Sequence, residues 1–136
     1  MIKLKDLILE NESNPFKFRI NKEEENHAVN FIITKLIPDV VKSFNKHIYP
    51  KEWYKPVTIE ETVRNLRKIK HKRGKDMPFS YDRDEIKYAS KTNYKSPFIF
   101  HIHKSISSWD RHPDGTLLAG YQWPGDNMMP QMIPVV

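Results

Sequence analysis

His101 and His103 stand two residues apart in a segment where Phe98, Phe100 and Ile102 alternate with Ile99 and the two histidines. On a strand, residues i and i+2 share a face, so the two imidazoles would lie side by side. Asp110, His112 and Asp114 follow within a dozen residues. Imidazole and carboxylate groups in such a set can hold zinc, iron or manganese, and an open coordination position would polarise water for hydrolysis or bind oxygen. This gives one reading: a metal-dependent enzyme with His101, His103 and His112 as ligands and a divalent transition metal as its cofactor. The plainer reading leaves the histidines as hydrogen-bonded groups on a half-buried face shared with Ile99. Asp110 and Asp114 are then ordinary turn residues, and the chain needs no cofactor.

A second set of residues carries charge. Between Arg64 and Lys75 there are seven Lys or Arg and no acid. The run continues from a marked helix start, where Thr58 and Glu61 fit a capping box, and Ile59, Val63, Leu66 and Ile69 recur at spacings of four, three and three. The spacing predicts a basic helix over 58–75. Lys and Arg along such a helix would displace counterions from a nucleic-acid backbone without reading sequence, with Arg64, Arg67, Lys68, Lys72, Arg73 and Lys75 as the contacts. An acidic protein surface would suit the same residues, and so would plain solvation. Tyr81, Tyr88, Tyr94, Trp109 and Trp123 are candidates for base stacking where exposed. Trp109, Tyr121 and Trp123, near Gly115, Gly120 and Gly125, form an aromatic group that is either an interface or the end of the core.

Other chemistries are excluded. The chain has no cysteine, which removes disulfides, thiolate catalysis and cysteine-ligated metals. Walker A, G-x-G-x-x-G, G-x-S-x-G and H-E-x-x-H are absent, and four glycines leave little for a phosphate-cradling loop. The formal charge of +6 and a pI near 9.4 favour an anionic partner, although AT-rich coding also enriches Lys, Ile and Asn. With 136 residues the chain suits one domain, and seven Phe, six Tyr and three Trp can fill a core despite a mean hydropathy of −0.70. No apolar run approaches the roughly 20 residues of a membrane span, so no membrane partner and a soluble, intracellular protein are expected.

The elements that must position these residues follow from the pattern. Phe16 to Ile20 alternates as a short strand, and a helix from Lys22 has an acidic first turn and the apolar face Ala28, Val29, Phe31, Ile32, Leu36. Pro38 predicts a break, with a second or kinked segment from Asp39 to Ile48. Asp82 with Glu85 predicts a short helix to about Lys91, and Phe98 onward is the strongest strand. His112-Pro-Asp-Gly115 suits a turn that returns Thr116 to Trp123 as its hairpin partner. Pro124 to Val136, with three prolines, reads as an irregular apolar tail.

The opening Met1 to Glu10, MIKLKDLILE, has amphipathic helix spacing and resembles the leader of many small proteins from tailed phages of marine bacteria. That resemblance covers about ten residues, speaks to origin, and carries no site residue across. It implies a place in an infected host cell's cytoplasm or in a virion. The expected fold is α+β in a single domain, with helices in the N-terminal two-thirds and an antiparallel β-hairpin toward the C-terminus. The expected function is a small non-enzymatic protein binding an anionic partner, nucleic acid first, through the basic helix. The alternatives are the metal-dependent enzyme and a virion structural or assembly protein with Met128 to Val136 as an attachment arm.

Overall fold

The computed structural model describes residues 18–48, 55–69, 83–93, 96–125 and 128–136. The leader lies outside them. Asn21 starts the helical layer: its side chain accepts from Glu24 N at 2.8 Å while the Glu24 carboxylate accepts from Asn21 N at 3.1 Å. This reciprocal box satisfies two donors that have no helical partner. Helix α1 (Lys22–Phe31) continues into a π-helical turn (Ile32–Leu36) and then helix α2 (Ile37–Ile48). The second segment expected from Asp39 to Ile48 is therefore present and starts two residues earlier, at Ile37, with Pro38 in its first turn. Ile37 N–H reaches back to Ile32 O across the wider turn, which makes room for a ring that brings no N–H of its own.

Asn45 ties the following segment to α2. Its amide donates to Val57 O at 2.8 Å and accepts from Val57 N at 3.0 Å, a side chain standing in for a paired strand. Helix α3 (Ile59–Arg64) starts at the capping box foreseen in the sequence, with Thr58 and Glu61 exchanging bonds of 3.0 and 3.1 Å. It does not continue to Lys75. The Thr62 carbonyl that a further turn would use accepts from Ser90 Oγ at 2.7 Å, and Asn65 Nδ2 donates to Lys91 O at 2.8 Å. The chain then enters strand β1 (Leu66–Ile69), so the basic helix is corrected to a short helix followed by a strand.

The remaining strands are β2 (Glu85–Ser90), β3 (Phe98–Lys104), β4 (Leu117–Gln122) and β5 (Ile133–Pro134), in one antiparallel sheet of order β1-β2-β3-β4-β5. The fold is thus α+β, with helices over 22–64 and the sheet over 66–134. The β3–β4 hairpin is present, but as the centre of five strands. Two expectations are corrected. The helix proposed from Asp82 is β2: Ile86 and Tyr88 alternate with Glu85 and Lys87, a period of two that opposes Ile102 and Phe100 on β3. The tail is not wholly irregular, because Ile133 pairs with Ala119, Pro134 with Leu118, and Val135 N bonds Leu117 O at 2.9 Å.

The strand expected over Phe16 to Ile20 falls partly outside the described residues, and its described part is not a strand. Phe18 O accepts from Asp84 N at 3.0 Å, while Ile20 N donates to the Asp84 carboxylate at 2.9 Å in place of a ladder bond.

Alternation gives the sheet two faces. Phe98, Phe100 and Ile102 of β3 and Ala119 of β4 are fully buried against Phe31, Ile32, Leu36, Ile37, Val40 and Phe44 of the helical layer. Two glutamates of α1 reach this face. Glu24 pairs with Lys104 Nζ at 2.6 Å, and Glu25 accepts from Tyr88 Oη at 2.7 Å and Lys68 Nζ at 2.9 Å. Among the described residues, no helix is long and apolar enough to cross a membrane.

Candidate functional site

The face turned away from α1 and α2 carries the polar chemistry. Residues opposed across antiparallel strands share a face. Arg67 of β1 stands opposite Ala89, Lys87 of β2 opposite His101, and Glu85 opposite His103. His101 stands opposite Gly120 of β4. A cleft of about 720 Å³ lies over this face, lined among others by Arg83, Glu85, Lys87, His101, His103 and Trp109. Asp110, Arg111, His112, Gln122 and residues 129–132 complete the lining.

The connection between β3 and β4 builds one wall. Helix α4 (Ser107–Asp110) is a single turn held by side chains: Asp110 Oδ2 accepts from Ile106 N at 2.8 Å, and Asp114 Oδ1 accepts from Ser107 N at 2.7 Å. Ser105 Oγ donates to His112 O at 2.8 Å, which holds the His112 backbone over the end of β3. Arg111 closes the turn at φ 62°, the left-handed region that most side chains avoid. The same Asp110 oxygen takes Arg83 Nη1 at 2.8 Å, and the Arg83 guanidinium lies 5.8 Å from the centre of the Trp109 ring. Trp109 is 45% exposed, an aromatic surface with an arginine fixed beside it.

The opposite wall is the C-terminal segment. Gln122 Nε2 donates to Met128 O at 2.7 Å, which orients the amide so that its oxygen meets His101 Nε2 at 2.7 Å. His101 Nδ1 faces Glu85 Oε1 at 3.3 Å. Both ring nitrogens thus face acceptors, and a neutral ring can donate to only one of them. Gly120 lets this wall approach: a Cβ there would stand 2.7 Å from Gln131 O and 2.7 Å from Met132 Sδ.

His103 is the most enclosed member. Its Nδ1 lies 3.3 Å from Lys104 O, and because a carbonyl only accepts, the proton sits on Nδ1 and the lone pair on Nε2. Burial, followed by the charge of Arg83, holds its pKa below the usual imidazole value, and the opposing pull of Asp110, the Lys104 carbonyl and Glu85 does not restore it. The ring is neutral near pH 7.

The candidates from the sequence are distributed unevenly. His101, His103 and His112 do line one cleft, but no group of three or more His, Asp or Glu among the described residues could hold a metal ion. The metal-dependent enzyme is corrected on that ground, and the reason is visible in the bonds. His101 is engaged at both nitrogens, His103 Nδ1 bonds backbone, and Asp110 and Asp114 each accept from a backbone amide. Of the basic residues, Arg64 ends α3, Arg67 lies on the cleft's side of the sheet, and Lys68 faces the helices and Glu25. Lys72, Arg73 and Lys75 lie outside the described residues, as do Tyr81 and Tyr94.

The aromatic group separates. Trp123 packs edge-on against Phe44 with centroids 5.8 Å apart, Tyr121 opposes Phe100 on the helix face, and Tyr88 is bound to Glu25. Trp109 alone of the three hairpin aromatics lines the cleft. Arg83, Glu85, Lys87 and Gln122 were missed in the sequence. The signal for two of them was there, since Glu85 and Lys87 alternate with Ile86 and Tyr88. Comparisons with protein-family models, with curated proteins and with solved structures give no match to this chain.

Proposed function

We propose that this protein binds nucleic acid, in single-stranded form, across the sheet face turned away from its helices. The observation that carries the reading is the cleft on that face, lined by Arg83, Lys87, Arg111 and a half-exposed Trp109. Cations along a groove track a phosphate backbone, and an aromatic ring accepts any base by stacking. The two acids there are already engaged, Asp110 with Arg83 at 2.8 Å and Glu85 with His101 at 3.3 Å. A duplex fits this site poorly, because reading a groove requires an element that protrudes into it, whereas this site is concave.

The basic run supports the same reading in altered form. Arg67 lies in β1 on the cleft's side, and Lys70, Lys72, Arg73 and Lys75 follow in the connection from Ile69 to Arg83, whose ends join β1 and β2. Fluorescence anisotropy with labelled single-stranded RNA, single-stranded DNA and duplex DNA tests it. With about four phosphates neutralised, single-strand affinity should fall roughly fiftyfold between about 50 and about 200 mM salt. Absence of binding at the lower salt, or a preference for duplex, would overturn the reading, and an acidic protein surface would then be the partner to pursue.

A further inference from the structure

We propose that the cleft cleaves RNA without a metal, by internal transesterification, with His103 as the general base and His112 as the general acid. The inference rests on the single-strand reading and adds a substrate class to it: the 2′-hydroxyl is the nucleophile, so the substrate is ribonucleic acid. Two imidazoles line one cleft together with the cations Arg83 and Lys87. This reaction needs a base, an acid and a positive charge beside the phosphorus, and nothing else.

His103 has the form that a base requires. Its Nδ1–H is committed to the Lys104 carbonyl, so Nε2 keeps its lone pair. Burial and Arg83 keep the ring neutral, and a neutral ring can take a proton. Arg83 is fixed from behind by the Asp110 carboxylate at 2.8 Å and lies beside the Trp109 ring, so its position does not depend on the substrate. His112 stands on the β3–β4 connection just after α4, its backbone held by Ser105 Oγ, and lines the same cleft as Arg83 and His103. His101 transfers no proton here, because Glu85 and Gln122 already occupy its ring nitrogens.

The step balances without an oxidant or a second reactant. The 2′-hydroxyl gives its proton to His103 Nε2 as its oxygen forms a bond to phosphorus. The bond from phosphorus to the 5′-oxygen breaks, and that oxygen takes a proton from a ring nitrogen of His112. The products are a 2′,3′-cyclic phosphate and a 5′-hydroxyl. Exchange with water returns the proton from His103 and restores it to His112.

The test uses the full chain, an end-labelled single-stranded RNA, and the same oligonucleotide with every 2′-hydroxyl methylated, both in excess EDTA. The expected result is binding of both but cleavage of the RNA alone, with cyclic phosphate termini. His112→Ala and His103→Gln should each slow cleavage by about a hundredfold or more, with RNA affinity within about threefold of the unaltered protein. His112 is half-exposed, so its variant remains informative even where the buried His103 position does not tolerate change. Binding without cleavage overturns this inference and leaves the single-strand reading in place. Loss of both overturns the two together, and cleavage unaffected by either substitution assigns it to something other than this cleft.

Discussion

Phe100→Ala is expected to lower the unfolding free energy by about 3–5 kcal/mol, the usual cost of removing a fully buried phenyl ring. Phe100 is 0% exposed at the middle of the central strand, between Tyr88 of β2 and Tyr121 of β4, and belongs to the cluster that joins the sheet to the helical layer. A domain of this size is stable by about 5–15 kcal/mol, so the substitution removes at least about a fifth of what is available. Urea denaturation monitored by circular dichroism measures it. Ile99→Ala, one residue earlier on the opposite face and only half-buried, should cost distinctly less. Equal costs, or a loss under about 1 kcal/mol at Phe100, would contradict the assignment of the two faces.

Glu25→Ala has the second largest expected effect, about 1–3 kcal/mol at neutral pH, because it leaves the Tyr88 hydroxyl without the carboxylate it meets at 2.7 Å. The Lys68 contribution is small, since its side chain is 52% exposed and water can replace the ion pair. Burial alone would raise the Glu25 pKa, but hydrogen bonds from Lys68 and Tyr88, with the charges of Lys68 and Lys22, outweigh it and hold the group below its ordinary 4.5. A carboxyl depressed in the folded state stabilises above its unfolded value and loses that contribution as pH falls through the folded one. The stability gap between the unaltered protein and Glu25→Ala should therefore be constant from pH 7 to about pH 5 and narrow below about 4.5. A gap that widened in acid would contradict the arrangement.

The parts of this molecule legible in its sequence are those whose signal is local. The Thr58–Glu61 box needs only four residues, and the Phe98, Phe100, Ile102 alternation is decided within one strand, so both appear where expected. The basic run misled because Ile59, Val63, Leu66 and Ile69 fit helical spacing, while the bond that ends the helix comes from Ser90, 28 residues away from Thr62. Asp82 and Glu85 imitated a cap, yet Ile86 and Tyr88 face the core at a period of two. Three expected metal ligands do converge on one cleft. The engagement of His101 with Glu85 and Gln122 depends on sheet register, which a single strand does not reveal. The role of Gly120 is of the same kind, since the segment that crosses it, Gln131–Met132, is eleven and twelve residues farther along.

If one face of the sheet, and not the overall charge of +6, binds nucleic acid, the position of a charge matters more than the total. The direct measurement is the affinity of a labelled single-stranded RNA for three charge reversals: Arg67→Glu and Lys87→Glu on the cleft's side of the sheet, and Lys42→Glu on the exposed side of α2. All three change the net charge equally. The first two should each weaken binding by about tenfold or more, and Lys42→Glu should stay within about twofold. Equal weakening by all three, or by none, would contradict binding at that face.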